Sequence, residues 1–332
     1  MKEVSFYDLD PNLVLHTVEQ AGFIPTGQYW QLNSYENRVF DVMLEKTAEN
    51  KATPKTGPEA DRIIIKFYRP GRWSKECILE EHEFLHDLKS EGVLAVAPLR
   101  FPNKKSIHEV QGMLVAMFPR VVGRMPQEFL KGELQRVGRT LARIHNVGAQ
   151  KKVKYRPNWK MPLRCEESLN VLEGWVEPTL WPRYLAAASE IESFLTEHLN
   201  PKRFVRIHGD CHKGNLLQFS EDFMFIDFDD FGEGPEAQDF WMVLTGDDDT
   251  FDDEFDEILA GYEELREFDR SQIELFGPLR GLRIINYAAW IANRWKDPSF
   301  PLLFPNYNTY QYWSEEIDSL EKIAGDINEG FD

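Results

Sequence analysis

The sequence predicts an α+β chain of two lobes, a small β-rich N-terminal lobe and a larger helical C-terminal lobe. Three observations carry that expectation. The 332 residues, 42 % of them hydrophobic, suffice for one large bilobal unit with a buried core. Apolar, β-branched runs fall early, at 62–68 and 112–119, and the second ends at a proline suited to a hinge. Helical spacing dominates the remainder of the chain, from 133–147 to 279–295. The boundary is set near Pro119, giving residues 1–119 and 120–332.

Taken in order, residues 11–22 read as a short amphipathic helix, with Leu13, Val14 and Val18 on one side and Gly22 as its stop. Residues 32–42 read as strand, polar turn (Asn33, Ser34, Tyr35, Glu36, Asn37) and second strand. Residues 46–61 are a polar connection with two prolines and one glycine. Arg62 to Tyr68 is a strand carrying Lys66 near its end. Trp73 to Lys89 is a helix with Ile78, Leu79, Phe84, Leu85 and Leu88 on its apolar face and Glu76, Glu80, Glu81 and Glu83 elsewhere. Gly112 to Pro119 is a buried strand. Glu133 to Val147 is a helix whose terminal His145 reads as structural. Residues 148–203 are helix-rich and interrupted by prolines, with no legible chemistry.

The most informative segment is His208-Gly209-Asp210-Cys211-His212-Lys213-Gly214-Asn215, followed by Phe225-Ile226-Asp227-Phe228-Asp229. Short strands at 204–207, 216–219 and 223–226 deliver it, and a hairpin of the last two returns the Asp210–Asn215 loop to Asp227. Phosphoryl transfer needs such a set. One carboxylate, Asp210, orients and deprotonates an attacking hydroxyl. An amide oxygen, Asn215, and a second carboxylate, Asp227, hold magnesium against the phosphates. Protein kinases use the same order of base Asp, metal Asn and Asp-Phe-Gly. Here His-Gly-Asp and Asp-Phe-Asp stand in for His-Arg-Asp and Asp-Phe-Gly, which points to the aminoglycoside and choline kinase branch.

Within that frame Lys66 matches the lysine that contacts the α- and β-phosphates of ATP, and Glu81, with Glu80 as rival, is its expected partner. The 32–42 hairpin would cover the phosphates without a glycine-rich loop, using backbone amides and the Ser34 hydroxyl. Backbone groups near Met117 to Pro119 would hold the adenine. Asp239 reads as a brace for the catalytic loop. The run 247–257, with eight carboxylates in eleven residues, reads as a solvated helix start, or as a site for a cationic substrate. Arg280, Arg283 and Arg294, on the apolar helix 279–295, either position an acidic substrate or pair with surrounding carboxylates. Only eleven residues separate Asp227 from Asp239, too few for a long activation segment.

Other readings are weaker. A surface turn capped by Asp210 and Asn215 ignores the spacing of three residues. Zinc on His208, Cys211 and His212 lacks a second cluster, since Cys77 and Cys165 have no ligand partner nearby. Cys211 beside His212 is a poor nucleophile–base pair. The net charge of −18 argues against nucleic acid as partner. The longest apolar stretch, 113–118, is too short for a membrane span, the N-terminus has no apolar signal core, and three cysteines without pattern suggest a reducing compartment. A soluble cytoplasmic protein, acting as a monomer, is expected.

Several segments together carry a closer likeness: Asn33-Ser34-Tyr35-Glu36-Asn37-Arg38-Val39, Lys66-Phe67-Tyr68-Arg69-Pro70, Ile78-Leu79-Glu80-Glu81-His82, His208-Gly209-Asp210, Gln238-Asp239-Phe240-Trp241 and Arg294-Trp295-Lys296-Asp297-Pro298. From about residue 30 to 300 the chain resembles the bacterial stress response kinase A family, serine/threonine protein kinases with an aminoglycoside-phosphotransferase-like, protein-kinase-like fold. The resemblance implies Asp210 as proton acceptor, Asn215 and Asp227 as magnesium ligands, Ser34 on ATP, and Lys66 on the phosphates beside Glu81. It implies protein Ser/Thr as acceptor. The alternatives are a small-molecule alcohol (an amino alcohol, sugar or aminoglycoside) or a dead nucleotide-binding scaffold, which the intact Lys66, Asp210, Asn215 and Asp227 argue against.

Overall fold

In the computed structural model, residues 6, 9–46, 61–158, 163–219, 221–244 and 250–329 are described. Helix α1 (Pro11–Gln20) starts at Asp10, whose side chain accepts the Asn12 N–H. Next comes an antiparallel sheet that begins with β1 (Pro25–Leu32), β2 (Arg38–Leu44) and β3 (Arg62–Phe67). Helix α2 (Lys75–Ser90) intervenes before β4 (His108–Val110) and β5 (Met113–Pro119), and the spatial order is β1-β2-β3-β5-β4. Strand side chains alternate, so Ile63, Ile65 and Phe67 enter the core beneath Val14 and Val18 of α1, while Ile64 and Lys66 face the interlobe cleft. Helix α2 packs on that second face, with Ile78 against Tyr68, Ile107 and Ala116. The polar connection of the sequence, apart from its ends, lies outside the described residues.

Beyond Pro119 the chain is mostly helical: α3 (Glu133–Gly148), α4 (Leu163–Leu172), α5 (Trp181–His198), α6 (Ala237–Val243), α7 (Phe251–Glu263), α8 (Phe276–Arg294), α9 (Phe300–Leu303) and α10 (Tyr310–Glu329). Leu134, Val137, Leu141 and Ile144 of α3 are buried as their spacing predicts. Helices α3 and α7 approach closely because Gly138 and Gly261 face each other's backbone, where a Cβ would collide with the Ile258 and Gln135 carbonyl oxygens. Helices α5, α8 and α10 form a second packed group around Tyr184, Ile191, Ile285, Trp313 and Ile317. No helix among the described residues is long and apolar enough to cross a membrane.

Short strands are set into this helical lobe. β6 (Val205–Ile207) pairs antiparallel with β9 (Gly232–Gly234), and β7 (Leu216–Phe219) with β8 (Asp222–Phe225). β6, β7 and β8 are the strands read from the sequence before and after the His-Gly-Asp segment, β9 is an addition, and together they fix the loops that face β3. Of the acidic run, 247–249 lie outside the described residues; the rest opens α7. There Glu257 accepts the N–H groups of Gly132 and Leu134 at 2.8 and 3.1 Å, capping α3. That run therefore serves a helix start, and its described carboxylates do not line the cleft.

Candidate active site

The loop after β6 is held by one buried carboxylate. Asp239, in the first turn of α6, accepts the backbone N–H groups of His208 and Gly209 at 2.9 and 2.8 Å and contacts His145 Nε2 at 3.1 Å. His145 is also 2.9 Å from the Tyr262 hydroxyl and fully buried, a structural histidine as read. Gly209 has φ +85°, and a Cβ there would strike the Asp230 carbonyl oxygen, so only glycine lets the two acidic loops touch. The His208 ring lies 2.9 Å from the Ile226 carbonyl, and Ile226 N–H donates to the Asn215 carbonyl at 2.8 Å. Asp227, the next residue, is left-handed at φ 61°. That is an uncommon conformation for a residue with a Cβ, and such conformations concentrate at functional sites.

Asp210, Asn215 and Asp227 thus converge on one cleft wall, as the spacing predicts. Asn215 Nδ2 donates to the Asp210 carbonyl and to its Oδ2, at 3.0 and 3.2 Å. His212 Nε2 is 3.4 Å from the same Oδ2. Arg283 Nη2 is 2.8 Å from Oδ1, an ion-pair contact without hydrogen-bond alignment. Burial alone would raise the Asp210 carboxyl, but the His212 hydrogen bond and the Arg283 charge hold it well below the usual range. The carboxylate is therefore ionised at any ordinary pH. His208, Cys211 and His212 point to different partners: the Ile226 carbonyl, Asp239 and the Gly214 N–H.

Lys66 reaches across the cleft. Its Nζ is 3.1 Å from Asp227 Oδ1 and 3.0 Å from Asp229 Oδ1. Burial works against its charge, and the two carboxylates outweigh burial and push its pKa well up. The expected Lys66–Glu81 pair is corrected here. Glu81 pairs with Arg156 Nη2 at 2.5 Å, while Arg156 also donates to the Cys77 and Asp229 carbonyls and stacks 4.4 Å above Trp73. The planar guanidinium satisfies a buried carboxylate with several donors at once, and Lys66 has two nearer acids. Glu81 still lines the cleft and still acts on the Lys66 charge. Glu80, the rival, accepts the N–H groups of Lys154, Tyr155 and Arg156 and anchors that loop instead.

The turn between β1 and β2 closes over this wall. Ser34 Oγ accepts the Asn37 N–H at 3.3 Å, and both Ser34 and Tyr35 line the cleft. Asn37 Nδ2 donates to Asp229 at 3.0 Å, and Arg72 also pairs with Asp229. Glu36 accepts from Trp290 Nε1 at 2.7 Å and Arg294 Nη2 at 2.6 Å, both on α8. Arg69 lies between Glu36 and Asp297. The turn between β1 and β2 is thus clasped to the large lobe.

The cleft measures about 1170 Å³. Its inner end is apolar, lined by Val39, Ile64, Phe118, Leu217 and Phe225, a shape and polarity suited to a flat base. Of the Met117–Pro119 stretch expected near the adenine, Phe118 and Pro119 line the cleft together with Arg120 and Val121, while the Met117 carbonyl accepts the Leu99 N–H at 2.6 Å. Asp227 is 48 % exposed toward the cleft beside Asn215, and both offer hard oxygen. No cluster of three His, Cys, Asp or Glu side chains among the described residues is arranged for a metal. The two hard oxygens of Asp227 and Asn215 on one wall are a donor set that fits magnesium, which keeps waters and substrate phosphates and takes one or two protein oxygens.

Sequence reasoning missed Asp229, Arg156, Arg72, Glu36 and Asp297. The replacement of glycine by Asp229 after Asp227-Phe228 was the available signal for the first. Arg156 stands in the stretch where no chemistry was legible.

A cleft between a five-stranded antiparallel sheet and a helical lobe, with Lys66, Asp210, Asn215 and Asp227 facing it, defines a kinase. Residues 35–276 match the phosphotransferase enzyme family. Stress response kinase A of Escherichia coli (strain K12) is 35 % identical over 331 residues, 98 % of this chain and 95 % of that protein. The serine/threonine protein kinase RdoA of Salmonella typhimurium is 34 % identical over 322 residues, 95 % of this chain and 93 % of that one. Among solved structures, the amicoumacin kinase hAmiN in complex with AMP-PNP, Ca2+ and Ami superposes with a TM-score of 0.75 at 19 % identity, covering 96 % of this chain and 94 % of that one. The chain belongs to the phosphotransferase enzyme family and, within it, to the stress response kinase A group.

Proposed function

We propose that this kinase transfers the γ-phosphoryl group of ATP, with magnesium, to Ser or Thr hydroxyls of proteins in a bacterial stress response. The observation that carries the chemistry is the convergence of Lys66, Asp210, Asn215 and Asp227 on one cleft wall. The protein acceptor is supported by the names of the relatives matched over nearly the whole chain.

Residues 1–119 are proposed as the nucleotide-binding lobe and 120–332 as the catalytic and substrate-binding lobe. Lys66 neutralises the nucleotide phosphates, and Ser34, at the turn above them, donates its hydroxyl. Glu81, through Arg156, sets the position of the helix behind Lys66. Asn215 and Asp227 would hold magnesium, which supplies charge neutralisation on the phosphates when bound. Asp210 orients the acceptor hydroxyl. The bond from acceptor oxygen to phosphorus forms, the bond to the bridging β–γ oxygen breaks, ADP leaves, and the acceptor proton passes to Asp210. With its pKa held low, Asp210 is a weak base, which fits a loose transition state in which the proton moves late.

The test is transfer of labelled γ-phosphate by wild type, Asp210→Asn and Asp227→Asn, with a generic protein substrate and a panel of amino alcohols, sugars and aminoglycosides. Asp210→Asn should abolish transfer and keep ATP binding; Asp227→Asn should weaken magnesium-nucleotide binding as well. Near-normal turnover in Asp210→Asn would remove the assigned base. Label confined to a small alcohol would replace the protein acceptor.

A further inference from the structure

Helix α8 runs along the acceptor end of the cleft, and its cleft-facing side presents Arg280, Arg283 and Tyr287 at helical spacing. Every other charge in this part of the site is matched. Asp229 and Asp230 hold Arg72, Glu36 holds Arg294, and Asp227 holds Lys66. Arg283 rests on Asp210 Oδ1, where an acceptor hydroxyl must come. Arg280 is exposed, lines the cleft, and has no carboxylate partner among the described residues. In a chain of net charge −18, a cleft-lining guanidinium without a carboxylate partner among the described residues stands out against the prevailing sign. The described acidic residues of α7, which a cationic acceptor would need, do not line the cleft.

We propose that Arg280 and Arg283 form an anion subsite that selects acceptors whose Ser or Thr is flanked by acidic side chains. This rests on the protein-acceptor reading above. Arg280 takes the flanking carboxylate, and its planar fork suits two-point binding of that group. Arg283 exchanges from Asp210 to the substrate's acid, and that exchange frees Oδ1 for the hydroxyl. Tyr287, stacked on Trp290 with ring centroids 5.3 Å apart, walls the subsite. A cationic acceptor would meet two guanidinium groups instead, which disfavours aminoglycosides and amino alcohols. Arg280 is thus a specificity residue, and Arg283 a positioning residue that acts through Asp210.

The test uses the full chain with ATP and magnesium at fixed ionic strength, and three peptides with one Ser flanked by Glu, Gln or Lys. Glycerate, glycerol and ethanolamine are run beside them. The Glu peptide should exceed the Gln peptide by about tenfold in kcat/KM, one charge-assisted contact, with the Lys peptide lowest. Arg280→Glu should reverse the order through KM, and Arg280→Lys should restore most of it. Equal use of the three peptides, or preference for Lys, overturns the subsite and leaves the protein-acceptor reading standing. Label on small alcohols alone overturns that reading instead, and there glycerate above ethanolamine supports the subsite while the reverse overturns it. Should no acceptor be labelled, fluorescence anisotropy of the Glu peptide with AMP-PNP present decides: binding lost in Arg280→Glu supports the subsite, and no binding by wild type overturns it.

Discussion

The ammonium of Lys66 lies 3.0 Å from a carboxylate oxygen of Asp229, whose side chain is only 5 % exposed, so a strand of the small lobe is bonded to a buried acid of the large one. Asp229 also takes Arg72 and Asn37, and the charges of Lys66, Arg72 and Arg156 hold its carboxyl well below the usual range despite burial. One residue therefore joins β3, the turn between β1 and β2, and the Asp227 loop.

Lys66→Met should affect both chemistry and stability. Asp229 keeps Arg72 but loses the Lys66 ammonium 3.0 Å away, so unfolding free energy without nucleotide should fall by about 2–3 kcal/mol, read by urea titration. Transfer should fall by at least about a hundredfold. A variant as stable as wild type would show that Arg72 and Asn37 alone satisfy Asp229.

Asp239→Ala leaves two N–H groups and a histidine without their acceptor in a fully buried site. A loss of about 3 kcal/mol is expected. At temperatures where the variant is folded, kcat should drop while nucleotide affinity, measured by calorimetry, stays within about threefold, because no Asp239 atom lines the cleft. A large loss of nucleotide affinity with kcat preserved would reverse the role assigned to the brace.

Glu316 contributes a falling component to the pH profile of stability, opposed by His82, whose pKa burial lowers to about 3 and whose contribution rises with pH up to about 6.5. Burial lifts this carboxyl to about 7, against hydrogen bonds from Tyr312 and Tyr184 that favour the ionised form. Between about pH 4.5 and 7 the folded chain binds a proton there that the unfolded chain does not, so the Glu316 contribution to stability falls as pH rises through this window. Glu81, lifted by burial to about 7, acts in the same direction. Glu316→Gln should match wild type near pH 5 and exceed it by roughly 1 kcal/mol at pH 8, measured by thermal melts across the range. A Gln variant that melts lower at pH 8 would mean that the ionised carboxylate stabilises the α5–α10 contact.

Glu36→Gln keeps the Trp290 hydrogen bond but loses charge against Arg294, Arg69 and Arg72. The covering turn should loosen, and KM for ATP should rise about three- to tenfold with a smaller change in kcat. An unchanged KM would show that Asn37 and Asp229 alone hold the turn.

The convergence of Asp210, Asn215 and Asp227 was legible because it is local: they flank one β-hairpin, β7–β8, and its closure brings them together. The early strands and long helices were legible from alternation and helical period. Glu81 was legible only in part: its helix was read correctly, but its partner was assigned by analogy, and Arg156 arrives from a segment with no periodic signal. The clasp of Glu36, Arg69, Asp297 and Arg294 was invisible for the same reason, since ion pairs between residues some 230 to 260 positions apart leave no pattern in a single sequence.

Arg69, seated between Glu36 of the covering turn and Asp297 beyond α8, gives that clasp a kinetic meaning. On the proposed reading of the turn as a cover for the nucleotide, exchange would lift it and expose charges that are paired in this structure. Raising ionic strength stabilises those charges once solvated, so ADP departure should quicken with salt while the transfer step, sheltered behind the turn, changes little. Turnover limited by release would then respond to salt in the direction opposite to ATP capture.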